Sequence, residues 1–149
     1  MAAFAKITPI EIGALNTFTQ EAASATRATA LATNGASTAT FGAYFEMDGK
    51  DEQYLILIEN TDSDGDDATV TIKAGNGLQG GTDLALATLG NGEFTCVQVE
   101  SGRFKNVAEN ETLKDLSSAT AADQVPAKGK VFITGSSSDI VVTVFKTVV

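Results

Sequence analysis

Several stretches of this chain carry residue types that could do chemistry. Asp62, Asp64, Asp66 and Asp67 crowd one polar segment, NTDSDGDD over 60–67. Carboxylates at i, i+2 and i+4 open a calcium-binding EF-hand loop, which then needs Gly at its sixth position and Glu at its twelfth. Counted from Asp62, those positions hold Asp67 and Lys73. The EF-hand reading fails, and the run reads as a solvated acidic turn, with a looser calcium site as its alternative. Gly75, Gly77 and Gly80 form GxGxxG after an expected strand. A dinucleotide fold would need a helix next, with its N-terminus at the pyrophosphate. The following GTDLALATL lacks an amphipathic helical period, so the glycines belong to a turn between strands. Cys96 has no His and no cluster of Lys or Arg beside it in sequence to lower its pKa, and it reads as a small packing residue. Asn110-Glu-Thr112 is a glycosylation sequon, with no secretory signal to make it one in use. Paired carboxylates for glycoside hydrolysis lack an aromatic sugar platform, since there is no Trp and the tyrosines are Tyr44 and Tyr54.

Composition narrows the function classes further. The 149 residues contain no His and one Cys. That excludes Ser-His-Asp and Cys-His triads, His-ligated metals, an internal disulfide framework and multi-Cys zinc sites. The expectation is a protein that is not an enzyme and carries no metal or cofactor. The formal charge of −9 and pI of about 4.3 oppose nucleic acid and anionic membranes, both of which select Lys and Arg. No apolar run is long enough to span a bilayer. The first residues, MAAFAK, lack the basic-then-apolar order of a signal peptide, so synthesis in a cytoplasm is expected.

The elements that must position any site follow a period of two. Ala39, Phe41, Ala43, Phe45 and Met47 alternate with Thr40, Gly42, Tyr44 and Glu46, as in a half-buried strand. QYLILIE over 53–59 is apolar on both faces, as in a strand covered on both sides. Val70, Ile72 and Ala74 alternate again, and the acidic run between these two strands reads as the loop of a β-hairpin. Leu84–Leu89 and Phe94–Glu100 flank Gly90-Asn91-Gly92, which supplies positive φ for a reversal. Arg103–Val107 is a further short strand, and Lys130–Thr134 with Ile140–Val148 form a last pair around GSSSD. Short strands with Gly and Asn turns predict an all-β chain, an antiparallel sandwich or jelly roll. Residues 17–33 are rich in Ala and Thr and read as a polar linker. Residues 108–128 read as an insertion, with a short helix near Glu109–Leu116.

The division expected is an N-terminal arm and linker over 1–33 and a β-sandwich over 34–149. In the arm, Phe4, Ile7, Ile10 and Ile12 do not alternate cleanly, and Pro9 cannot donate to a ladder. Two readings follow: an edge strand of the same chain, or an arm that docks on a neighbouring subunit. In the second, Phe4, Ile7, Pro9, Ile10 and Ile12 are the inter-subunit contacts.

Several blocks carry a resemblance: LILIENTD (55–62), ATVTIKAGNGLQGG (68–81), DLALATL (83–89), VESGRFKN (99–106), GKVFITG and the final VVTVF, with FAKITPIEI at the start. Together they resemble the head decoration, or cement, proteins of tailed bacteriophages. The resemblance implies a jelly-roll-like sandwich on the outer surface of the mature icosahedral head. It also implies the major capsid protein as partner and a homo-oligomer, often a trimer at three-fold positions. The tract over 17–33 and the insertion over 108–128 depart from it. The alternatives are a tail or head-fibre component and a ligand- or carbohydrate-binding sandwich.

Overall fold

A computed structural model describes residues 4–13, 15–16, 18–19, 29–33, 41–108 and 126–148. Most of the polar tract over 17–33, and the whole of the helix expected near Glu109–Leu116, lie outside the described residues. Among the described residues eleven strands are formed: β1 (Ala5–Lys6), β2 (Ile10–Ile12), β3 (Thr29–Ala30), β4 (Ala32–Thr33), β5 (Phe41–Glu46), β6 (Tyr54–Asn60), β7 (Ala68–Ile72), β8 (Leu84–Leu89), β9 (Phe94–Val97), β10 (Lys130–Gly135) and β11 (Ile140–Thr147). They make an all-β sandwich. One sheet runs β1-β5-β10-β7-β8 with β4 also on β5, and the other runs β2-β11-β6-β9 with β3 also on β11. Arg103–Val107 is not a strand: Ser101–Phe104 is one helical turn, and Phe104 anchors it at 4% exposure.

The inward residues are those that the period of two picks out. Ala43 and Phe45 of β5, Val131 and Ile133 of β10, and Val70 and Ile72 of β7 pack from the first sheet. Tyr54, Ile56 and Ile58 of β6 and Ile140, Val142 and Val144 of β11 meet them from the second. Apolar burial of this kind contributes about 25 cal/mol per Å² removed from water.

Pairing differs from the hairpins expected. The acidic loop does not close a hairpin, because β6 pairs with β11 and β9 while β7 pairs with β10 and β8. Nor do β10 and β11 form a pair, since they belong to different sheets. The turn at Gly90–Gly92 likewise joins β8 of one sheet to β9 of the other. These short connections carry the chain across the core, so that consecutive strands face each other instead of lying side by side. Each strand still buries its apolar face, which is all that the alternation demands.

One side of the sandwich is closed by segments that serve both sheets. The N-terminal segment pairs in parallel with β5 as β1, crosses at Ile7–Pro9, and pairs in parallel with β11 as β2. Residues 29–33 cross in the same way, β3 on β11 and β4 on β5, with Leu31 buried at the crossing. Phe4 lies over the outer face of the first sheet. Its ring centroid is 6.0 Å from that of Phe132, and it occupies the place where a side chain on Gly42 would stand.

A polar clamp fixes the loop before β6. The Tyr54 hydroxyl donates to Asp48 Oδ1 at 2.6 Å and accepts the Asp48 and Gly49 N–H groups at 3.1 and 2.9 Å. Lys146 Nζ reaches Asp48 Oδ1 at 2.9 Å. Lys146 first, and then the Tyr54 hydroxyl, hold the Asp48 pKa down at about 2. A depressed carboxyl contributes stability that is complete above about pH 4 and is lost as pH falls through its folded value. The Asp48 side chain is 72% exposed, so solvent screening keeps that contribution to about 1 kcal/mol or less. Asp48→Asn should therefore flatten the fall of the melting temperature between about pH 4 and pH 2, read from thermal melts across that range. An unchanged acid limb would show that Asp48 has no part in it.

Candidate interaction surface

The first carboxylate of the acidic run is engaged by its own loop. Asp62 Oδ1 accepts N–H groups from Asp64, Gly65 and Asp66 at 2.7, 2.8 and 3.1 Å. Those of Asp66 and Asp64 do most to hold its pKa below the ordinary carboxylate range. The acidic turn is thus organised by its own backbone, and among the described residues no group of His, Cys, Asp and Glu could hold a metal. At the next turn in the chain, burial pushes Asp83 up, but the Ala74 N–H and the Lys73 ammonium, at 2.6 Å, outweigh it and lower its pKa. The glycine motif packs loop against loop: Gly75 N–H donates to the Arg103 carbonyl at 2.8 Å, and a Cβ on Gly75 would come 2.5 Å from the Lys105 carbonyl oxygen.

Among the described residues two hollows stand out. One, of about 470 Å³, lies where the N-terminal segment crosses between the sheets, lined by Lys6, Pro9, Glu11, Glu46, Asp48 and Lys146. The other, of about 190 Å³, is the open seam between β8 and β9, lined by residues such as Val70, Ile72, Leu84, Leu86 and Cys96. Pockets for small molecules run to roughly 300–1,000 Å³ with a few convergent polar groups, and the seam is smaller and almost wholly apolar.

The outer face of the second sheet stands out by composition. Residues paired across strands share a face, and three rows result. Ile10 of β2, Phe145 of β11 and Leu55 of β6 form one. Thr143, Leu57 and Cys96 form the next, and Val141, Glu59 and Phe94 the last. Ile12 extends the first edge beside Thr147. Glu59 is the one charge in these rows. Phe94 is 67% exposed and Leu55 38%, and Cys96 is a free thiol at the surface. Strand spacing of about 4.8 Å and alternate residues about 6.6 Å apart give this face roughly 300 Å². That is within the range in which an apolar patch on a monomer is often functional.

The outer face of the first sheet is different, because Phe4 and Tyr44 cover Phe132 there, leaving it fully buried. The arm residues thus separate into three groups. Phe4 and Ile7 are buried in their own chain at 2% exposure. Pro9 lines the crossing hollow. Ile10 and Ile12 lie on the apolar outer face. Leu55, Leu57, Phe94, Cys96 and Phe145 were not among the contacts expected from sequence. For Leu55 and Leu57 the signal was the double-sided apolarity of QYLILIE: both sides of β6 were expected to be covered, and among the described residues one is. Compared with family models, curated proteins and solved structures, the chain gives no match.

Proposed function

We propose that this protein is a structural component of a tailed-phage head, a decoration protein that binds the outside of the mature shell and stabilises it. The observation that carries the reading is the apolar, nearly charge-free outer face of the β2-β11-β6-β9 sheet. It offers contact area, with Glu59 as its one charge and Cys96 as its one thiol. The resemblance of the blocks over 55–62, 68–81 and 99–106 supplies the biological setting.

In this reading the face meets the next copy of the chain, in a homo-oligomer such as a trimer, with Ile10 and Ile12 among the contacts. Roughly 300 Å² is less than half of the ~800 Å² per partner of a standard stable interface, so each contact alone is weak. Copies seated side by side on a shell convert weak contacts into strong overall attachment through effective concentration. A ligand that binds the assembled shell and not its dissociated parts stabilises the shell by mass action.

Electron microscopy of virions of the phage that encodes the chain tests the placement. Density for this sandwich is expected on the outer surface of the head. Density restricted to the tail or to fibres would assign the protein to the other structural class and overturn decoration.

A further inference from the structure

The sandwich is closed on one side and open on the other. On the closed side the segments over 4–13 and 29–33 cross between the sheets. Each buries one branched aliphatic side chain at the crossing, Ile7 and Leu31, both at 2% exposure. On the open side β8 and β9 end their sheets, and among the described residues no segment crosses between them. The seam of about 190 Å³ is left there, with core residues Val70 and Ile72 as its floor. Leu84 and Leu86 of β8 form one rim. They face inward beside Ile72 and Val70, yet are 44% and 36% exposed. Thr95 and Val97 of β9 form the other. An apolar cavity of about 150 Å³ takes a benzene ring, so this seam has room for the kind of side chain that plugs the closed side.

The same chain holds out such a side chain. Leu78 is fully exposed in the loop over 73–83. Val107 stands beside it, 59% exposed and 3.5 Å from where a Cβ on Gly77 would be. The loop is braced at its neck and on both sides of Leu78. Asp83 accepts the Ala74 N–H at 2.7 Å and the Lys73 ammonium at 2.6 Å. Asn76 Oδ1 accepts the Val107 and Ala108 N–H groups at 2.7 and 3.2 Å. The Gln79 amide lies against Gly102, where a Cβ would collide with it. An apolar side chain held in place beforehand contacts a partner at little cost in ordering.

We infer that Leu78 of one copy seats in the β8–β9 seam of the next, supplying the plug that the open side lacks. The inference rests on the homo-oligomer of the reading above and deepens it by naming the second surface of the contact. Knob and hollow are different surfaces, so the contact runs head to tail, and such contacts close into rings when the rotation permits. A trimer is such a ring. The seam is continuous with the apolar outer face, because β9 turns Thr95 and Val97 to the seam and Phe94 and Cys96 to that face. Sheets about 10 Å apart and an edge of about six residues give the open side roughly 200 Å². With the outer face, the receiving copy then buries roughly 500 Å², and the pair ~1,000 Å², the size a specific interface should reach. The outer face alone falls short of it. No residue lining the seam is charged, nor is Leu78 or Val107. Copies of a chain with a net charge of −9 therefore meet there without burying a carboxylate.

The test is disulfide trapping and sedimentation velocity of the full-length protein. The native Cys96 lines the seam and is a free, exposed thiol. In Leu78→Cys, oxidised with copper phenanthroline in air, the new thiol should link to Cys96 of the next copy and give covalent trimers on non-reducing gels. Leu78→Cys/Cys96→Ser should lose the trimer band, and wild type should stay unlinked. In sedimentation, Leu78→Asp should weaken association at least tenfold with the melting temperature of the dilute protein unchanged, whereas Leu78→Met should associate as wild type does. Leu15→Asp, at another leucine that is 80% exposed, should also leave association unchanged. Undiminished association of Leu78→Asp overturns the seated leucine and leaves the homo-oligomer standing. So does a link confined to single chains, or no link in Leu78→Cys protein that sediments as an oligomer. A Cys96–Cys96 link between wild-type copies places the outer faces about a two-fold axis and overturns the head-to-tail contact. Wild-type protein that sediments as a monomer at every concentration removes the homo-oligomer and this contact together.

Discussion

Leu55→Glu combined with Phe94→Glu should break the protein's self-association and reduce its occupancy of shells by about a hundredfold or more. The two side chains are 38% and 67% exposed in the single chain, so exchanging them should change the monomer's stability by only about 0.5 kcal/mol. Seating two carboxylates against an apolar neighbour is different. An unpaired charge buried at an interface costs several kcal/mol, and each 1.4 kcal/mol is a factor of ten in affinity. Glu59 already stands between Val141 and Phe94 in its row, so added carboxylates would also repel it. Sedimentation velocity reads the oligomer, and quantitative gel analysis of washed shells reads occupancy. A double variant that still assembles and still coats shells would remove this face from the proposed assembly.

Phe4→Ala should destabilise the fold by about 3–5 kcal/mol, the usual cost of deleting a buried phenylalanine ring. Gly42→Val should cost a comparable amount by another route. Its Cβ would take the place of the Phe4 ring, and the expelled ring would uncover Phe132 and strip the support from β1. The two changes share one site, so their effects should not add. In Phe4→Ala/Gly42→Val the valine fills space the ring has left, and the double variant should be more stable than the sum of the single losses by at least about 1 kcal/mol. Denaturant melts of the four proteins give the cycle. Strict additivity would show that Phe4 does not sit on Gly42 in solution.

The positions of the strands were largely legible in the sequence, because a half-buried strand writes its own alternation. Phe41–Glu46 and Ala68–Ile72 lie within two residues of where that alternation put them, and Leu84–Leu89 and Lys130–Gly135 lie where short strands between turns were expected. Partners were not legible. A period of two says which face is buried and is silent on what the edge pairs with, and a short polar connection suits a hairpin and a crossing between sheets equally well. That is why the turns at 61–67, 90–93 and 136–139 were read as reversals within a sheet. The N-terminal segment was harder still. Its parallel pairing with β5 and β11 joins residues far apart in the chain, and its inward residues, Phe4 and Ile7, lie on either side of the step from the outside of one sheet to the core.

The candidate surface was half legible. QYLILIE carries two apolar faces, and the inference that both are buried is sound physics for a strand that has two covers. Among the described residues it has one. The residue types alone cannot say what lies over the second face. Nor do they reveal that Phe145, Cys96 and Phe94 line up beside Leu55 and Leu57, since that depends on register. The crowding of Glu59, Glu93 and Asp139 around the acidic run depends on topology in the same way. The acidic run itself is plain in the sequence.

The most direct test of shell decoration is calorimetry of expanded, undecorated shells with and without the purified protein. With saturating protein, the shell's disruption temperature should rise, and the rise should grow with the logarithm of free protein concentration once sites are filled. A disruption temperature that stays the same at saturating protein, with the sandwich itself intact, would contradict a stabilising role on the head.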